Sequence, residues 1–148
     1  MHIMFICHGN ICRSAMAERV ARKLADERGL DVIVSSTGIS SEEQGNPIDH
    51  RARRLLTRRG YRADGHQARR ITAENSRGVD LFVVAEQRHA DLLGRLGIDP
   101  TKVRLVTDFD PESTPGAPLK DPWYGDMSDF EETLAILERA VPRILDEA

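Results

Sequence analysis

The chain has 148 residues, 40% of them hydrophobic and 30% charged, with a net charge of −3. This describes an ordinary globular protein, long enough for one core that needs no covalent staples, and it argues against nucleic acid as the main partner. No apolar run approaches the roughly 18 residues of a membrane span, so a single domain over residues 1–148 is expected, with no membrane attachment and no export signal.

Ile3, Met4, Phe5 and Ile6 form an apolar run that reads as a short buried strand. It delivers Cys7 at its carboxyl end, and Cys7 to Ser14 form a loop that runs into a helix beginning near Arg13. A loop of this length can wrap one tetrahedral oxyanion. Its residues His8, Gly9, Asn10, Ile11, Cys12 and Ser14 then present backbone N–H groups to the anion, and the helix N-terminus adds positive partial charge. Gly9 allows close backbone approach, and Asn10 is the non-glycine residue that best tolerates a left-handed conformation. Arg13 offers a planar fork for two equatorial phosphate oxygens. Cys7, at the bottom of this cradle, is surrounded by dipoles and a cation that favour thiolate over thiol, which makes it a nucleophile aimed at phosphorus. Both cysteines, Cys7 and Cys12, lie in this loop, so no disulfide framework exists and a reducing cytoplasm is the natural setting.

The first helix carries Met16, Ala17, Val20, Ala21 and Leu24 on one face and Glu18, Arg19, Arg22 and Lys23 on the other, and Gly29 ends it. Val32, Ile33 and Val34 form a second strand closing in Ser35 to Gly38. Asn46 is expected to cap a helix with Pro47 in its first position and an inner stripe of Ile48, Ala52, Leu55 and Leu56. Tyr61 to Gly78 reads as basic and irregular, with a short helix from Thr72. Leu81 to Val84 is a third strand, apolar throughout as a strand covered on both faces should be. Leu92, Leu93 and Leu96 belong to the helix behind it, and Val103 to Val106 form a fourth strand. A long loop from Asp108 to Gly125 precedes the last helix, which is expected to start at Ser128 with Glu131 completing a capping box and Pro142 kinking or breaking it.

This alternation predicts an α/β fold: a three-layer domain with a four-stranded parallel twisted sheet, helices on both faces and a phosphate-binding loop after the first strand. Ligands in such folds sit beyond the carboxyl ends of the strands, where Cys7, Ser36 and Ala85 fall. A phosphocysteine mechanism also needs a proton donor for the departing oxygen. Asp121 in the long loop suits that role, because Pro122 restricts its conformation, while Trp123 and Tyr124 can flank a flat substrate ring. Asp121 can then take a proton from the water that hydrolyses the thiophosphate. Arg51, Arg53, Arg54, Arg58, Arg59, Arg69 and Arg70 read mainly as solvated faces, and His2, His50 and His89 show no metal-ligand spacing, so neither a metal nor a cofactor is expected.

With Cys7-His8-Gly9-Asn10-Ile11-Cys12-Arg13-Ser14 and Asp121-Pro122-Trp123-Tyr124-Gly125 both present, nearly the whole chain resembles the low-molecular-weight protein tyrosine phosphatases. The resemblance implies Cys7 as nucleophile, Arg13 as transition-state clamp and Asp121 as general acid and then base. It also implies that Ser14 hydrogen-bonds the thiolate and that Asn10, Ser36 and His66 hold the loop in shape. The implied partner is a tyrosine-phosphorylated protein, with a cognate tyrosine kinase as a second candidate, for a monomer or weak dimer. The chain departs from the family pattern at Ala15, where proline is usual, at His8, and at Glu42, which stands where an aromatic residue usually lines the cleft. Cys12 reads equally as a small packed residue or as a trap for oxidised Cys7. The competing function is an arsenate reductase using an external small thiol, because no resolving cysteine follows Cys12; that reading leaves Asp121 without a task.

Overall fold

In the computed structural model, which describes residues 1–148, strand β1 (His2–Cys7) lies at the centre of a four-stranded sheet with strand order β2-β1-β3-β4. β2 (Ile33–Gly38), β3 (Leu81–Val84) and β4 (Val103–Leu105) all run parallel to it. Alternate side chains of β1 feed two cores, as a period of two requires. Ile3 and Phe5 join the large core with α1 (Arg13–Arg28), α2 (His50–Arg58) and α4 (Met127–Leu145). Met4 and Ile6 join a smaller one with Phe82, Val84 and Leu93, beneath α3 (Gln87–Arg95). The expected three layers are present. After β2 the chain crosses to the opposite side of β1, so the order reverses at the carboxyl end of β1, where open α/β sheets bind ligands.

Several local expectations are corrected. On α1, Glu18 and Arg19, on the face opposite the apolar stripe, are buried as well. α2 begins at His50: the N-cap is Asp49, whose carboxylate accepts from the backbone N–H groups of Arg51 and Ala52, while Asn46 and Pro47 lie before the helix. Asn46 instead turns its side-chain amide to Glu43 at 2.7 Å. No helix forms from Thr72. Thr72 and Asn75 exchange side chain–backbone bonds of 2.8 and 3.0 Å, and the turn stops at Gly78, whose φ of 78° no helix can use. Leu96 follows α3 and is exposed, and Val106 belongs to a 3-10 turn rather than to β4.

The last helix starts one residue earlier than expected, capped by Asp126 with Asp129, not Glu131, completing the capping box. Pro142 neither breaks nor ends it. A proline inside a helix costs about 3 kcal/mol. Val141, Ile144 and Leu145 around it are each buried to within 1%, and burial of such side chains yields roughly 1.5–3 kcal/mol apiece. Packing outweighs the missing hydrogen bond.

Candidate active site

The loop after β1 is held by a chain of buried hydrogen bonds. Asn10 takes the left-handed conformation, φ 62°, as its short polar side chain allows, and is fully buried. Its amide nitrogen donates to Ser14 Oγ at 2.8 Å and to Ser36 Oγ at 3.0 Å, which uses both hydrogens. Ser36 passes its own hydrogen to the buried Glu18 carboxylate. Ser14, already accepting from Asn10, has one hydroxyl hydrogen facing two acceptors, the Thr37 carbonyl at 3.3 Å and Cys7 Sγ at 3.0 Å, and a thiolate at Cys7 draws it to the sulfur. On the other side, His66 Nε2 donates to the Asn10 carbonyl at 2.6 Å, and the Arg69 N–H donates to Asn10 Oδ1 at 3.0 Å. Burial holds the His66 pKa below its ordinary value despite that bond, so the ring is neutral and can donate from Nε2 while Nδ1 stays bare.

Arg13 is buried at the start of α1, a helix whose N-cap, Cys12, makes no side-chain cap. One guanidinium nitrogen, Nη1, donates to Glu86 Oε2 at 2.6 Å and to the Leu119 carbonyl at 2.7 Å. The other, Nη2, is buried without a hydrogen-bond partner and lies 3.6 Å from Asp121 Oδ2. The fork is therefore anchored on one side and open toward the cleft on the other. Burial alone would raise the pKa of Glu86, but hydrogen bonds from Arg13 and Arg88 outweigh it and keep the carboxylate ionised.

Asp121 heads a 3-10 turn, Pro122–Tyr124, and its Oδ1 accepts from the Trp123 N–H at 3.1 Å. Cys7, His8, Gly9, Ile11, Cys12, Arg13, Glu42, Glu43, Asp121, Trp123 and Tyr124 line one cleft of about 130 Å³. That is smaller than the roughly 300–1,000 Å³ of a pocket that encloses a whole drug-sized ligand, so it suits a small head group whose remainder stays outside. Trp123 and Tyr124, 48% and 83% exposed, meet edge to face at 5.0 Å on one side of the mouth. On the other side, His8 Nε2 lies 3.7 Å from Glu42 Oε1. Cys12 is buried, and burial followed by the nearby Asp49 carboxylate pushes its thiol pKa well above the ordinary value; both cysteines are free.

Reading the sequence missed Glu86, whose one signal is its place just past the carboxyl end of β3. It also missed Gly38. A Cβ there would stand 2.6 Å from the His8 carbonyl oxygen, so only glycine lets β2 pass this close to the loop. By contrast, a Cβ on Gly9 would meet only the flexible Glu43 side chain, at 3.3 Å. Arg51 is not solvated either; it is half-buried against Phe130, its guanidinium 4.6 Å from the ring centroid.

A family model described as low molecular weight phosphotyrosine protein phosphatase matches residues 2–148. The low molecular weight protein-tyrosine phosphatase A of Mycobacterium tuberculosis is 41% identical over 149 residues, covering 99% of this chain and 90% of that protein. The crystal structure of a protein tyrosine phosphatase from Entamoeba histolytica superimposes with a TM-score of 0.91 at 27% identity, covering 99% of this chain and 96% of that one. A Drosophila arginine phosphatase superimposes with a TM-score of 0.90 at 25% identity, covering 99% and 97%.

Proposed function

The chain belongs to the low molecular weight phosphotyrosine protein phosphatase family, and from that membership we propose that this cleft hydrolyses phosphotyrosine in proteins through a phosphocysteine intermediate. The Cys7 thiolate attacks phosphorus, the bond from phosphorus to the tyrosine oxygen breaks, and Asp121 protonates the departing oxygen. Arg13 Nη2, with the loop N–H groups, takes the charge that builds on the equatorial oxygens. Asp121 then removes a proton from water as it attacks the thiophosphate. Phosphate leaves, and the Ser14 hydroxyl stabilises the sulfur anion that returns.

The observation that carries this reading is the convergence on one cleft of a sulfur with a hydroxyl donor at 3.0 Å, an arginine nitrogen without a partner, and a carboxylate 3.6 Å from it. The fold itself is shared with an arginine phosphatase, so the choice of a tyrosine ester rests on the 41% identical relative, which is named a protein-tyrosine phosphatase. Arsenate reduction is not favoured, because family and relative are both named phosphatases and the acid loop would then have no task. One phosphatase domain spans residues 1–148, acting as a monomer or weak dimer, with a tyrosine kinase of the same cell as candidate partner. Free thiols support a cytoplasmic setting; no helix is long and apolar enough to cross a membrane.

The test is turnover of phosphotyrosine and phosphoarginine peptides by wild type, Cys7→Ser and Asp121→Ala. Wild type should release phosphate from phosphotyrosine, and Cys7→Ser should release none. Asp121→Ala should lose about 100- to 10,000-fold on phosphotyrosine, the range of general acid catalysis. Rapid-quench mass spectrometry should find the phosphoryl group on Cys7. Turnover that survives Cys7→Ser, or a preference for phosphoarginine, would overturn the reading.

A further inference from the structure

The nucleophile loop and the acid loop are far apart in sequence, and the rate depends on their spacing. One side chain spans them. Arg51, in the first turn of α2, donates through Nη1 to the Gly125 carbonyl at 3.1 Å and through Nη2 to the Trp123 carbonyl at 3.3 Å. Its Nε and Nη2 also grip both carboxylate oxygens of buried Asp49, at 3.2 and 2.9 Å. The Asp49 backbone N–H donates to the Ile11 carbonyl of the nucleophile loop at 2.9 Å. The Phe130 ring lies beneath the guanidinium.

Trp123 is the joint in this linkage. Its N–H holds Asp121 Oδ1, and its carbonyl is held by Arg51. The carboxylate that protonates the leaving group is thus tied, through one residue's backbone and one guanidinium, to the loop that carries Cys7. We propose that Arg51, braced by Asp49, is a positioning residue that fixes Asp121 over the leaving-group oxygen. Burial alone would raise the Asp49 pKa, but the hydrogen bonds from Arg51 and the α2 backbone hold it below the ordinary carboxylate range, so the brace stays charged throughout the working pH range. Lysine could not replace Arg51, because a single ammonium cannot reach a carboxylate fork and two carbonyls in one plane.

The inference rests on the phosphatase reading and is tested on kcat/KM, which reports the step that forms the phosphocysteine. Wild type, Arg51→Met, Arg51→Lys, Asp121→Ala and the double variant Arg51→Met/Asp121→Ala are compared on aryl phosphates from 2,4-dinitrophenyl phosphate to phosphotyrosine. Inhibition by inorganic phosphate is measured in each. Misplacing a catalytic group by about 1 Å costs up to 100-fold, so Arg51→Met should lose about 10- to 100-fold on phosphotyrosine. On the dinitrophenyl ester, whose leaving group needs no proton, it should lose no more than about 3-fold. The phosphate Ki should stay within about 2-fold, because the cradle is not touched. In the Asp121→Ala background, Arg51→Met should cause no further loss on phosphotyrosine.

Equal losses across the series, a phosphate Ki that rises in step with them, or losses that multiply with Asp121→Ala would each overturn the proposal. Arg51→Lys should show the same selective loss, and it carries the test if the methionine variant does not fold. Failure of the phosphatase reading is distinguishable, since it would appear in wild type as no turnover of the dinitrophenyl ester, or as turnover that Cys7→Ser retains.

Discussion

Asn10 commits both amide hydrogens, its side-chain oxygen and its carbonyl to the protein, and this is why a single residue can fix the shape of the loop. Its left-handed backbone was legible from residue type, as was the grouping of Cys7, Arg13 and Ser14. Glu86 was not legible, because nothing local marks a glutamate that meets an arginine 73 positions away. Removing one partner of a buried ion pair leaves an uncompensated charge. Glu86→Ala should therefore lower stability by about 2 kcal/mol, allowing for the partial exposure of Glu86. It should also cut kcat/KM by at least about 10-fold as Nη1 loses its anchor. Glu86→Gln, which keeps an acceptor, should recover most of the activity. Denaturant unfolding and steady-state kinetics check both; an active Glu86→Ala with unchanged kcat/KM would show that Leu119 alone orients the guanidinium.

At the scale of elements, the nucleophile loop leans on β2 and on the irregular segment after α2 as much as on α1. Gly38 pairs with Cys7, donates its N–H to the Arg69 carbonyl and accepts from the Ile71 N–H. The bonds from Ile39 and Ser40 to the Cys7 and His8 carbonyls continue that contact. Gly38→Ala would drive a methyl group into the His8 carbonyl oxygen and displace the cradle. Its kcat/KM should fall at least about 10-fold for every leaving group alike, unlike the selective loss expected of Arg51→Met. A series of aryl phosphates separates the two patterns. Element types were readable from periodicity; their ends were not. Asp49, Asp126 and Asn46 are all competent caps by composition, and which of them caps a helix depends on where the chain must turn to reach the sheet.

At the scale of the molecule, three buried or half-buried histidines make folding sensitive to acid. Burial, then repulsion from Arg13 and Arg88, lowers the His89 pKa to about 3, and burial also lowers those of His66 and His2. The folded state therefore binds fewer protons than the unfolded one below the unfolded histidine value of about 6.5, so stability falls as pH drops through that value. At pH 5, His89 alone should account for about 2 kcal/mol. Asp110, held near a pKa of about 2 by Arg139, works in the same sense but in a lower window: its stabilisation is complete above the ordinary aspartate range and is lost only as pH falls below it. Melting temperatures between pH 7 and 5 should therefore decline in wild type and decline less in His89→Leu. An unchanged slope in that variant would assign the loss to other groups.

The chemistry of the loop, the alternation of strands and helices, and the pairing of a nucleophile with a distant acid were determined by the sequence alone. Each depends on residue type and short spacing. The sheet order, the burial of Glu18 and His89, the anchoring of Arg13 by Glu86 and the bridge through Arg51 were decided only in three dimensions. They join residues that no local pattern connects, and burial and partner, not residue type, set what a charge does there.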